Sequence, residues 1–80
     1  MSVRKGARRW VVRFEREFTD EEARQEGSRG ERYDRRVEAV EEHKAVQAAV
    51  DLMVSDGFTV DHADDAPPTS WRVAGWWPEP

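Results

Sequence analysis

Cysteine is absent from this chain. Its absence removes thiolate nucleophiles, thiolate zinc sites and any disulfide framework, and it fits a reducing, cytoplasmic setting, which is the expected location. Long apolar runs are also missing. The longest nearly apolar stretch, Ala45 to Val54, contains Gln47 and Asp51 and is too short and polar to span a bilayer, so no membrane partner is expected. Positive residues stand near the N-terminus at Arg4, Lys5, Arg8 and Arg9. No uninterrupted apolar segment follows them before Arg13 and Glu15, which argues against a signal peptide. Lysine is scarce: there are two lysines and eleven arginines, the bias of a GC-rich coding sequence such as that of an actinobacterium or a phage infecting one.

Catalytic signatures are missing as well. Gly27-Ser28-Arg29-Gly30 has neither the lysine of a phosphate-binding loop nor the glycine spacing of a dinucleotide fold. His62 stands among Asp61, Asp64 and Asp65, yet this cluster lacks calcium-loop spacing and a second histidine nearby, so it reads as a solvated acidic turn and no metal is assigned. His43 and the scattered Ser28, Ser55 and Ser70 do not form a sequence pattern of nucleophile, base and orienting acid. The carboxylate pairs Glu21-Glu22, Glu41-Glu42 and Asp64-Asp65 are consecutive in polar runs, which suits solvation and helix capping better than acid/base chemistry. The expectation is therefore a non-enzymatic protein with no catalytic residues and no cofactor.

What is present must build a core from 80 residues. A chain this short buries only about 60% of the surface its unfolded form exposes. Eight aromatics, Trp10, Phe14, Phe18, Tyr33, Phe58, Trp71, Trp76 and Trp77, supply large apolar area at little rotamer cost. The charge is divided unevenly. Residues 1–36 carry eleven basic and eight acidic groups, residues 37–80 two basic and nine acidic, and the net charge is −4.

From Arg9 to Phe18 the apolar residues Trp10, Val12, Phe14 and Phe18 alternate with polar ones, the period of a half-buried strand. Val11 and Arg16 break the pattern. Thr19-Asp20-Glu21-Glu22 matches a capping box, so residues 19–31 read either as a short helix ended by Gly27 or as a charged hairpin loop. Tyr33, Arg35, Val37 and Ala39 lie on one side of a second expected strand, although Glu38 to Glu42 also suit the start of a longer helix. Ala45, Val46, Ala49, Val50 and Met53 recur at helical spacing and predict a helix from about Glu41 to Asp56, stopped by Gly57. Phe58, Val60 and His62 then suggest a third strand, and Trp71 to Trp77 a fourth, with Pro78 and Pro80 ending its ladder.

The fold class expected from this order is α+β: a four-stranded, mainly antiparallel sheet in the sequence order β-β-α-β-β with one main helix on one face. A single domain spans residues 1–80, with an N-terminal arm at 1–7 and an extended tail at 78–80. Over residues 8–54, a Trp-containing strand leading through a basic hairpin into a helix resembles the arm-type DNA-binding domain of tyrosine integrases. No diagnostic motif carries the likeness, the Glu15 to Glu31 loop is rich in acid, and a third strand before the helix is not evident.

Two functional expectations follow. Consecutive strand residues face opposite sides of a sheet, so Trp76 and Trp77 cannot both be covered by one helix. The uncovered indole marks the C-terminal strand, with Trp71, Arg72, Trp76 and Trp77, as a protein-binding surface for a partner protein or a second copy of the chain. The alternative is a nucleic-acid accessory protein that grips phosphates with Arg4, Lys5, Arg8, Arg9, Arg13 and Arg36.

Overall fold

Residues 6–80 are described by a computed structural model, and Arg4 and Lys5 lie outside the described residues. The alternation read from Arg9 produces a ten-residue strand, β1 (Arg8–Glu17), one residue earlier at each end. It runs antiparallel to β2 (Gly30–Ala39), with Trp10 opposite Val37, Val12 opposite Arg35 and Phe14 opposite Tyr33. Between them stands α1 (Asp20–Glu26), for which the capping box forms as its sequence implies: Glu22 N–H donates to the Thr19 hydroxyl, and Thr19 N–H donates to the Glu22 carboxylate. Gly27 ends α1 in the left-handed region at φ 69°. Of the two readings of residues 19–31, the short helix is the one adopted.

The second helix, α2 (Glu42–Ser55), packs the buried side chains of Ala45, Ala49 and Met53 against the sheet. Its C-terminus closes with two reversed bonds, Gly57 N–H to the Val54 carbonyl and Phe58 N–H to the Met53 carbonyl, each 3.0 Å. This is the Schellman arrangement, which requires a left-handed residue; Gly57 occupies it at φ 94°. Phe58 then turns back onto the core that contains Met53.

The last strand, β3 (Arg72–Pro78), lies antiparallel to β1 on the side away from β2, so the sheet is three-stranded in the order β2-β1-β3. The expected four-stranded sheet and its β-β-α-β-β order are thereby corrected; the chain runs strand, helix, strand, helix, strand. The segment that breaks the expectation is Phe58 to His62. It makes no ladder, only a bridge between Val60 and Trp71, and that bridge is parallel. The local reason is the side chain of Asp61, which accepts the N–H of Ala63 at 3.0 Å and turns the chain off its extended path. Further turns follow at Ala63–Ala66 and Pro67–Ser70, and the Pro68 carbonyl accepts the N–H of Glu17. This route carries residues 63–70 to the end of β1, where β3 starts.

The core is small and contiguous. Trp10, Val12 and Phe14 of β1, Val37 and Ala39 of β2, Ala45, Ala49 and Met53 of α2, and Trp71 form it. The Trp10 indole N–H is not left unpaired inside; it donates to the Ala39 carbonyl at 3.1 Å. Arg16, which broke the apolar alternation, reaches over the rings of Trp71 and Phe18 while bonding to Glu22 and Glu31. Its guanidinium caps an apolar edge and stays paired.

Two glycines make opposite predictions. A Cβ on Gly30 would sit 2.5 Å from the backbone oxygen of Arg16 across the β1–β2 pair, whereas one on Gly75 meets nothing within 4 Å. Gly30→Ala is expected to lower stability by about 1–3 kcal/mol, the usual cost of overpacking. Gly75→Ala is expected to be neutral or to raise stability by about 0.5 kcal/mol, because a glycine costs entropy in a strand. Denaturant unfolding of both variants checks the ordering, and equal effects would contradict it.

Candidate functional site

The sheet has one face under α2 and one without a helix. Residues opposite each other in the ladder share a face, so Arg9, Val11, Arg13 and Glu15 of β1 lie on the open side with Arg32, Asp34, Arg36 and Glu38 of β2 and Arg72, Gly75 and Trp77 of β3. Trp76 lies opposite Val12 and therefore belongs to the helix side. The two adjacent indoles are thus divided between the faces, as strand geometry requires.

Trp77 obtains a cover from its own chain. The Arg13 guanidinium lies 5.0 Å from the centre of the Trp77 ring. Arg13 is itself held by a two-point bond to Asp34, with Nε to Oδ1 at 2.8 Å and the terminal nitrogen to Oδ2 at 3.1 Å. A second link crosses β1 beside it, from Arg36 on β2 to Glu79 beyond β3. Arg9 also approaches Glu79, at 3.9 Å. Val11 sits among these groups and is only 4% exposed, although it points away from the main core. Its place on the polar side of the alternation is explained by this cover of arginines, carboxylates and one indole.

Trp76 is less covered. It remains 45% exposed, against 36% for Trp77, and its indole N–H donates to Glu42 at 2.9 Å. That bond sets the ring against the start of α2, where Glu41, Glu42, His43, Val46 and Gln47 complete an open groove. The neighbouring backbone is also available. Glu79 N–H donates to the Arg9 carbonyl, so Glu79, Trp77 and Gly75 turn their backbone groups toward β1. The N–H and C=O of Trp76 therefore point outward from the sheet edge, while Pro78, the next outward residue, has no N–H to offer.

The other expected contact residues divide. Trp71 is a core residue, 8% exposed and packed edge-on against Phe58 with ring centres 5.7 Å apart. Arg72 is exposed and lines an open, charged groove with Glu15, Glu17, Arg32 and Pro68. Of the arginines assigned to phosphate contacts, Arg9, Arg13 and Arg36 do come together on the open face, but each meets a carboxylate there. Arg8 lies instead by the ring of Trp10. The residues that sequence reasoning missed at the Trp76 groove are those of the α2 N-terminus. Their signal is the Glu41-Glu42 pair, which the sequence alone explains equally well as solvation and helix capping.

Among the described residues, no three of His, Asp and Glu converge as metal ligands. Ser28 donates its hydroxyl to the Gly30 carbonyl, and His43 faces Glu41 at the surface. No helix among the described residues is long and apolar enough to cross a membrane. No protein-family model, curated protein or solved structure matches the chain. The resemblance to arm-type integrase domains also meets a topological difference, since the third strand follows α2.

Two carboxylates titrate below their ordinary range. Asp34 is lowered by its hydrogen bonds from Arg13, and Glu22 by those from Arg16 and then from the Thr19 backbone. Each binds its proton less tightly folded than unfolded, so each contributes stability that is present above the ordinary carboxylate value and is lost as pH falls through the folded one. Melting temperature is expected to fall as the pH drops through and below the ordinary carboxylate range. Asp34→Asn should start lower and show a shallower fall. Parallel slopes for the two proteins would remove Asp34 from the account.

Proposed function

We propose that this protein is a non-enzymatic interaction module that binds a protein partner through the outer edge of β3, centred on Trp76. The observation that carries the reading is a large indole, nearly half exposed, fixed in orientation by Glu42 beside backbone groups that face outward. Indole surface of this kind yields much contact area with little rotamer entropy to lose, which is why tryptophan is frequent at binding hot spots. The neighbouring Glu41 and Glu42 favour a segment that carries an apolar side chain for the ring and a basic group beside it. An extended segment laid along β3 meets one free N–H and C=O pair at Trp76, and Pro78 limits how far such pairing continues.

The nucleic-acid reading has less support than its sequence suggested. A phosphate contact by Arg9, Arg13 or Arg36 must compete with Glu79 or Asp34 for the same guanidinium. The open face also carries acidic residues between its arginines, so phosphates meet no continuous positive surface.

The two readings separate in a pull-down from host-type lysate, with and without nuclease. Wild-type protein is expected to retain one protein partner under both conditions, and Trp76→Ala to reduce retention by at least about tenfold while leaving the fold intact. Trp77→Ala is the comparison, since its ring already carries the Arg13 guanidinium. Recovery that vanishes with nuclease, survives the Trp76 change and weakens steeply between about 50 and 200 mM salt would replace this proposal with the nucleic-acid one.

A further inference from the structure

The other outer strand, β2, carries a pattern that the Trp76 site does not use. Among the described residues nothing pairs with its outer edge. The register shows which groups that edge presents. Phe18 N–H donates to the Arg29 carbonyl at 2.8 Å. Opposite residues in an antiparallel ladder alternate between bonded and non-bonded pairs. Arg16–Glu31, Phe14–Tyr33, Val12–Arg35 and Trp10–Val37 are therefore bonded, and the backbone groups of Arg32, Asp34, Arg36 and Glu38 point outward. The side chains of these four residues share the open face and alternate positive, negative, positive, negative.

We propose that this edge pairs antiparallel with the same edge of a second copy, joining two three-stranded sheets into one continuous sheet. With the two-fold axis at Arg35, Arg32 stands opposite Glu38 and Asp34 opposite Arg36, and symmetry repeats both matches. Only registers that align outward groups with outward groups form a ladder, so the nearest alternatives are slips of two residues. One slip sets Arg36 against Arg36 and Asp34 against Glu38. The other sets Asp34 against Asp34 and Arg32 against Arg36. Opposite charges at directly facing positions stabilise a sheet and like charges destabilise it, so the charge order selects a single register.

The helix side of the edge agrees with that register. A groove between β2 and α2 is lined by Val37, Ala48 and Leu52, and the pairing brings Tyr33 of the second copy opposite Val37 at its mouth. Tyr33 and Leu52 are each 42% exposed in the single chain and are covered in the pair. Arg35 faces its own copy across the axis, but each guanidinium is already compensated by Asp56 and stacked near Tyr33. Unlike β3, which has Pro78 at an outward position, β2 contains no proline to interrupt an added ladder. Such a contact is isologous and closed, and it leaves the Trp76 edge of each copy free.

Sedimentation of the full chain over a range of concentrations tests the proposal. Neither Arg32 nor Glu38 is held in an ion pair among the described residues, so their exchange breaks no intramolecular bridge, although it sets like charges against Glu15 and Arg9 across the β1–β2 pair, a cost that each single variant and the double variant carry within one chain. Wild type is expected to form a dimer. Arg32→Glu and Glu38→Arg should each raise its dissociation constant on the order of tenfold, because each turns two symmetric attractions into repulsions. The double variant Arg32→Glu with Glu38→Arg should restore the dimer, a rescue that general destabilisation cannot mimic. A wild type that stays monomeric at the highest attainable concentration overturns the proposal. So does a dimer indifferent to both single changes, or a folded double variant that fails to recover it. A dimer lost only with Trp76→Ala would place the contact on β3 instead.

Discussion

Both outer strands of the sheet are paired through β1. Its even-numbered residues exchange backbone hydrogen bonds with β2, its odd-numbered residues with β3, and its two faces are occupied by different chemistry. Trp10, Val12 and Phe14 hold α2 and Trp71 on one side; Arg9, Val11 and Arg13 organise the charged cover on the other. A central strand used in all four directions makes a three-stranded sheet sufficient for so short a chain. It also concentrates stability in one element, since loss of β1 register would misplace both the core and the bridges above Val11.

The second face shows how arginine substitutes for a missing layer. A guanidinium is planar and weakly hydrated, so it can lie over an indole while its edge bonds a carboxylate. Arg13 does this on the open face between Trp77 and Asp34, and Arg16 does the same on the helix side, over Trp71 and Phe18 with Glu22 and Glu31. Exposed ion pairs of this kind contribute little stability one by one. Their effect here is to cover aromatic surface and to occupy charges that would otherwise face solvent. Arg9, Arg13, Arg16, Arg35 and Arg36 are thus paired within the chain, which lowers the support for phosphate binding by Arg9, Arg13 and Arg36 and leaves Trp76 as the large ring with least intramolecular cover.

Several features were legible along the chain because their causes are local. The β1 alternation, the Thr19–Glu22 capping box, the α2 periodicity and the left-handed Gly57 each depend on neighbours within a few residues. The division of Trp76 and Trp77 between faces was equally local, a consequence of strand geometry. The residues from Phe58 to His62 show the limit of such reasoning. Their alternation is real, but a strand exists only where a partner offers a ladder. Asp61 turns the backbone before one can form, and the residue that meets Val60 runs parallel to it. Arg35 and Arg16 also stood at apolar positions without an explanation until Asp56, Tyr33 and Trp71 were placed beside them.

By itself, then, the order of residues determined the α+β class, the extents of β1 and α2 to within a residue, the stop at Gly57 and the separation of the two indoles, because each follows from periodicity or from a short-range hydrogen bond, and left the capping box at Thr19 open between a short helix and a charged loop. Tertiary structure alone decided that β3 pairs with β1, that the sheet has three strands, that Trp71 is interior, and that Arg13 covers Trp77 while Glu42 orients Trp76. These outcomes rest on contacts between residues far apart in the chain. Several segments compete for the same edges and rings there, and the winner depends on the geometry of all of them together.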